Sequence, residues 1–192
     1  MKKFVLLMTL SISLMFAESA KIVEFVTEKT VKIDENGAEK RLHLSGIELF
    51  AKANNKQGSI QLVDYDKREE LKNRALVYMN KMFPKGSNIS YQIFLKDEHG
   101  IEYAWIKDND FNYKIVRDGY ALTDVNDPSL PIGLRNRMLL AQNYAKKKGL
   151  GLWGIYEEMQ MLEQQDVVAC GCEPYEKKDF KADTFKKEQA EK

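Results

Sequence analysis

The chain has 192 residues, 44% of them hydrophobic and 31% charged, with 30 Lys and Arg against 29 Asp and Glu. That length fits a single domain with one ordinary core. The near-neutral total gives no support to strong polyanion binding, which rests largely on phosphate neutralisation.

The N-terminus has the pattern of a secretory leader. Lys2 and Lys3 precede an apolar run over 4–16, and the small residues Ala17, Ser19 and Ala20 follow. The run is shorter than the roughly 20 residues that span a bilayer. Cleavage is expected after Ser19, with Ala17 as the close competitor, so residues 1–19 read as signal peptide and the product as exported, periplasmic or secreted. No transmembrane segment is expected after its removal.

From there the chain alternates strand and helix signals. Residues 21–33 are rich in Val, Ile, Phe and Thr and predict a strand. Asn36-Gly37 marks a hairpin turn into a second strand over 39–47. Residues 49–57 turn polar and read as a surface loop. A helix is predicted over 66–83, with Leu71, Ala75, Tyr78, Met79 and Met82 on one face and Pro84 and Gly86 stopping it. Strands over 88–95 and 102–107 flank a turn at 96–100, and a short helix follows over 111–117 with Gly119 as its C-cap. A long helix is predicted to open at Asp127-Pro128, the aspartate as N-cap, and to end at Gly149 after three lysines that suit its negative end. Helical turns over 155–162 close the domain, taken as 20–162. Residues 163–192 read as a charged, disordered tail. Its Cys170 and Cys172 read as tail thiols, unpaired or joined in a strained bridge across one glycine; two thiols alone are half a zinc site, and no His lies near them in sequence. The fold class is α+β, a small OB-like β-barrel with helices packed on it.

Several short motifs, in order and at suitable spacing, carry a resemblance. These are 40–51 with its Leu44-Ser45-Gly46-Ile47, then Tyr103-Ala104-Trp105-Ile106, Phe111-Asn112-Tyr113, 115–121 with Asp118-Gly119-Tyr120, and 145–153 ending in Gly149-Leu150-Gly151-Leu152-Trp153. Over about 21–153 the chain resembles the staphylococcal nuclease (thermonuclease) family. The resemblance implies an OB-like barrel and a site in which two aspartates and a carbonyl hold Ca²⁺, a glutamate orients the attacking water and two arginines clamp the phosphate.

Carried over residue by residue, most of that site has changed type. The first metal aspartate falls on Lys29, within Thr27-Glu28-Lys29-Thr30, and the second on Glu48, one methylene longer. The first arginine falls on His43, with Arg41 two residues earlier on the same strand face, and the second on Ile101. The catalytic glutamate falls on Ala51. Two looser groupings are a Glu28, Glu48 and Glu102 acidic set, and a His43 and His99 pair with Glu48 that suits a transition metal.

Two readings follow. One is an exported, catalytically degenerate domain (a pseudoenzyme) that needs no cofactor and binds an unidentified protein or polymer, nucleic acid being the weaker option, with Cys170 and Cys172 in the tail as a possible tether. The alternative is an active secreted nuclease hydrolysing DNA or RNA at a rearranged site, with Glu48 as metal ligand and Ca²⁺ as cofactor. Fold analogy alone is a weak warrant for activity.

Overall fold

The computed structural model describes residues 18–48, 50 and 63–169. The expected leader run, the loop beyond position 50 with Ala51, and the Cys170–Cys172 segment lie outside these residues.

The apolar stretch expected as one strand is two. β1 (Glu18–Phe25) and β2 (Thr30–Glu35) are separated by a tight turn in which Thr30 donates to Thr27, and β3 (Ala38–Leu44) follows the Asn36-Gly37 hairpin. Both turn residues take positive φ, +56° and +88°, as a two-residue hairpin of this kind demands. β4 (Asn88–Lys96) and β5 (Glu102–Ile106) form the second hairpin. The five strands close into a barrel in the order β1-β2-β3-β5-β4, with β4 pairing back onto β1. Every seam is antiparallel except β3 with β5, which are parallel.

Alternation along the strands puts Ile22, Val31, Ile33, Leu42, Leu44, Ile89 and Tyr91 inside, where burying each apolar side chain contributes about 1.5–3 kcal/mol. α1 (Tyr65–Met82) is capped by Asp64, whose carboxylate accepts the Lys67 N–H at 2.8 Å. α2 (Phe111–Arg117) plugs one end of the barrel with Phe111 and Ile115. Asn112 fixes that plug: its amide donates to the carbonyls of Ser45 and Ala104 and accepts from the Ile106 N–H, each at 3.0 Å.

The second long helix, α3, runs Ile132–Lys148 and is preceded by Pro131, so it begins later than the Asp127-Pro128 signal suggested. Asp127 does not cap it. Its carboxylate is drawn into the loop before the helix, where better-placed backbone donors compete for it. α4 (Glu158–Ala169) continues past Leu162, and Glu163 accepts from Gln142 Nε2 at 3.0 Å and pairs with Lys146, so contacts with the body extend into the expected tail.

Trp153 sits in a second apolar cluster with Leu71, Ala75, Leu122, Leu152 and Tyr156, between α1, α3 and α4 rather than under the barrel. Its position depends on a backbone crossing: Gly119 (φ +83°) packs so closely on Leu150 that a Cβ there would lie 2.1 Å from the Leu150 carbonyl oxygen. Trp153→Ala should lower unfolding free energy by about 3–5 kcal/mol, read as an earlier denaturant midpoint. Gly119→Ala should do at least as much damage, since both φ and space forbid the methyl group. A Gly119→Ala protein with the wild-type midpoint would show that this crossing is not what holds the helical layer.

Candidate functional site

The β1–β2 turn, the end of β3 and the segment before α3 meet at one mouth of the barrel. The Lys29 carbonyl accepts the Leu44 N–H at 2.6 Å, which sets the turn against the last residue of β3. Beyond it the chain kinks at Gly46, φ +77°, where a Cβ would lie 2.7 Å from Met138 Sδ of α3. Ile47 then bridges Thr123, Glu48 N–H donates to Leu122 O at 3.0 Å and Asp124 N–H donates to Gly46 O at 2.9 Å. Residues 122–124 therefore act as a short extra strand that delivers Asp124 to the turn.

The side chains gathered there neutralise one another. Lys29 Nζ lies 3.0 Å from Asp124 Oδ2, with side-chain exposures of only 12% and 10%. Asp127 is buried and fully used: one oxygen accepts the Gly46 N–H at 2.7 Å and the other accepts the N–H and hydroxyl of Ser129, whose Oγ is 3.0 Å from Ser45 Oγ. Neither Asp124 nor Asp127 was singled out as a site residue in the sequence. The Asp124-Val125-Asn126-Asp127-Pro128-Ser129 run, dense in turn formers, was the available signal.

His43 stands on the outer face of β3, half-buried, with its ring edge-on to Tyr103 at 5.4 Å. Burial first, and the Lys29 charge second, hold its pKa below the ordinary value, against smaller opposing effects of Asp97 and Asp127. At neutral pH it is an uncharged imidazole and supplies no cation to a phosphate. Arg41 is exposed on the same strand face. Ile101 is in the β4–β5 turn, its N–H bonded to Asp97 at 2.8 Å. Glu48 is buried at the end of β3.

The looser groupings do not assemble. Among the described residues no three His, Cys, Asp or Glu side chains come together as a metal site, so neither the Glu28, Glu48 and Glu102 set nor His43, His99 and Glu48 forms one. Glu102 instead pairs with Lys40 at 3.1 Å and Lys96 at 3.3 Å, and His99 is an exposed turn residue beside Glu98. A calcium ion does not fit at Lys29: a buried ammonium already paired with the neighbouring carboxylate repels a cation and occupies its counter-charge.

Glu28 is the unusual member. It is fully buried, one oxygen accepts the Phe50 N–H, and the other has no hydrogen-bond partner among the described residues. Burial raises its pKa above the ordinary carboxylate value, with Glu69 adding to the rise and backbone N–H groups and Lys72 opposing it.

Two stability tests follow. Lys29→Met, which strands the Asp124 carboxylate, should cost about 3 kcal/mol or more, and Lys29→Met/Asp124→Leu should recover most of it. Equal losses in the single and double variants would show that the pair is not the source. For Glu28 the folded state holds the proton more tightly than the unfolded state. The stability linked to that proton is full below the ordinary carboxylate pKa and is lost as pH rises through the raised folded value. Glu28→Gln should therefore gain stability relative to wild type as pH is raised through the acid range; a difference between the two that does not change with pH would refute the burial argument.

The profile of the staphylococcal nuclease homologue family matches residues 41–154, which includes β3, the Gly46 kink, both hairpin strands of the second half, α2, α3 and the Trp153 crossing. The match begins after Lys29 and does not include it, so the correspondence of Lys29 to a metal position rests on the resemblance of Thr27-Glu28-Lys29-Thr30 alone. No curated protein matches the chain. With more than half of its residues matched and a closed five-stranded barrel carrying the helices, the chain belongs to the staphylococcal nuclease homologue family.

Proposed function

We propose that the protein is an exported binding module on a nuclease-type OB barrel whose hydrolytic site has decayed. The observation that carries the reading is the Lys29–Asp124 ion pair at the position the family gives to its metal. The neutral His43 and the apolar Ile101 support it, because neither can replace a guanidinium as a bidentate phosphate clamp. What remains at the mouth, a half-buried imidazole against Tyr103 with Arg41 on the same strand face, suits hydrogen bonding and ring contact with a protein or polymer better than phosphodiester cleavage.

Export is part of the same proposal. Glu18 and Ser19 already pair with Tyr91 and Ser90 of β4, and the Glu18 carboxylate lies 3.8 Å from Lys40 Nζ. Cleavage after Ala17 keeps both pairings, whereas cleavage after Ser19 removes them. That favours the earlier site.

The purified protein should show no Ca²⁺-dependent cleavage of single-stranded DNA or RNA. Removal of even one preorganised charge stabiliser costs about 10²–10³ in rate, and groups that act as a unit are not rescued by those that remain. Turnover that is lost both with chelator and in Glu48→Ala would instead establish an active nuclease with a rearranged site. Intact-mass measurement on protein from the producing cells should find Glu18 at the N-terminus; an N-terminus at Ala20 would overturn the choice of cleavage site, and full-length chain in the soluble cytoplasm would overturn the export reading.

A further inference from the structure

Charge is balanced over the chain but not over its surface. α2 and α3 together carry seven basic residues, Lys114, Arg117, Arg135, Arg137, Lys146, Lys147 and Lys148, and no acidic one. Three of the seven are engaged within the fold: Arg137 with Asp110, Lys146 with Glu163, and Arg135 with the Asp127 carbonyl at 3.1 Å. Lys114, Arg117, Lys147 and Lys148 have no ion-pair partner among the described residues. The nearby Asp118 is bonded to the Tyr78 hydroxyl.

Set among these charges are large apolar side chains that the fold leaves in water. On α3, Ile132 is 68% exposed, Leu140 71% and Tyr144 47%. At about 100° per residue, positions 132, 140 and 144 fall within an arc of about 120° on a helix about 25 Å long at 1.5 Å per residue. The opposite side, with Met138, Ala141 and Ala145, faces the core. An exposed aliphatic stripe flanked by unpaired lysines and arginines is the pattern of an interfacial helix face.

We propose that the α2–α3 face docks the protein on an anionic lipid surface, with Ile132 and Leu140 entering the headgroup–acyl boundary and Lys114, Arg117, Lys147 and Lys148 against the lipid phosphates. Lipid fits this face better than a nucleic acid strand for two reasons. The tyrosine rings that would stack on bases already carry guanidinium groups, Arg137 over Tyr113 at 4.0 Å and Arg117 over Tyr144 at 6.0 Å. The most exposed apolar groups are aliphatic, which gives an acyl layer something to bury and a base nothing to stack on.

The test is sedimentation of the full chain with vesicles of neutral phosphatidylcholine, alone or with roughly a third of anionic phosphatidylglycerol, the apolar 4–16 stretch being present in every sample. Wild type should bind the anionic vesicles more tightly, and salt should remove the increment. Arg117→Glu/Lys147→Glu/Lys148→Glu should reduce binding to anionic vesicles by about tenfold or more, and Ile132→Asn/Leu140→Asn should weaken it while leaving the salt dependence in place. All five positions are exposed, and an unchanged denaturant midpoint confirms that the variants fold. Anionic binding equal to wild type in both variants overturns the proposal. So does a thymidine oligonucleotide that is bound through the same arginine and lysines when anionic vesicles are not, or a solution dimer that Leu140→Asn dissolves.

Discussion

Asn112 is the residue on which the architecture depends. Two seams of this barrel are not hairpins, the antiparallel closure of β1 with β4 and the parallel contact of β3 with β5, and the parallel one is only three residue pairs long. Short parallel pairing is slightly the weaker kind. The Asn112 amide is buried at the end of this seam and satisfies a carbonyl from each strand together with the Ile106 N–H. Because Asn112 belongs to α2, the same hydrogen bonds seat the helix that plugs the barrel. Asp127 does the corresponding work one step further along, holding Gly46 as the chain leaves β3 and turns toward α3. Buried polar groups of this kind cost free energy unless every one is satisfied, and here the two side chains use nearly all their capacity on backbone groups.

That arrangement makes the mouth of the barrel independent of any bound metal or phosphate, as the proposed loss of catalysis requires. The scaffold of the site is made by backbone, by Asn112, Asp127 and the serines, none of which needs a metal or a phosphate. The side chains of Lys29, His43 and Ile101, where the resemblance implies a metal ligand and two arginines, are not members of that hydrogen-bond network. A lysine at position 29 is tolerated since Asp124 arrives opposite it on the short 122–124 strand, and the charges cancel inside a region largely closed to water.

Much of this was legible in the sequence, for reasons that differ from element to element. β4 alternates over Ile89–Ile93, both hairpin strands are bounded by strong turn residues, and α1 has a regular apolar stripe, so their limits fall within a residue or two. The stretch over 21–33, rich in Val, Ile, Phe and Thr, hid the turn at Thr27–Thr30, because the threonines that bound the turn are as β-branched as the strands on either side. The helix start was misplaced at Asp127 since local capping chemistry cannot reveal a distant competitor, in this case the Gly46 N–H more than eighty positions away along the chain. At the site, residue types could be compared with the family's, but pairing could not. Nothing near Lys29 in sequence announces Asp124, and nothing around Glu28 announces that one of its oxygens is buried with no hydrogen-bond partner among the described residues.

The order in which the strands close has a consequence for how the protein is made. β1 comes first in the barrel, yet besides its hairpin partner it pairs with β4, joining Lys21 to Asn88 and Ala20 to Ile89. The parallel seam then waits for β5 and for Asn112. Contacts this distant along the chain delay folding, because the loop entropy is lost before the contacts form. A nascent chain shorter than about a hundred residues can form the β1–β2–β3 meander but has neither seam, so both meander edges stay open to other chains. Under the proposed export, late closure keeps the chain extended while it is being delivered and lets it become compact only once its second half has emerged.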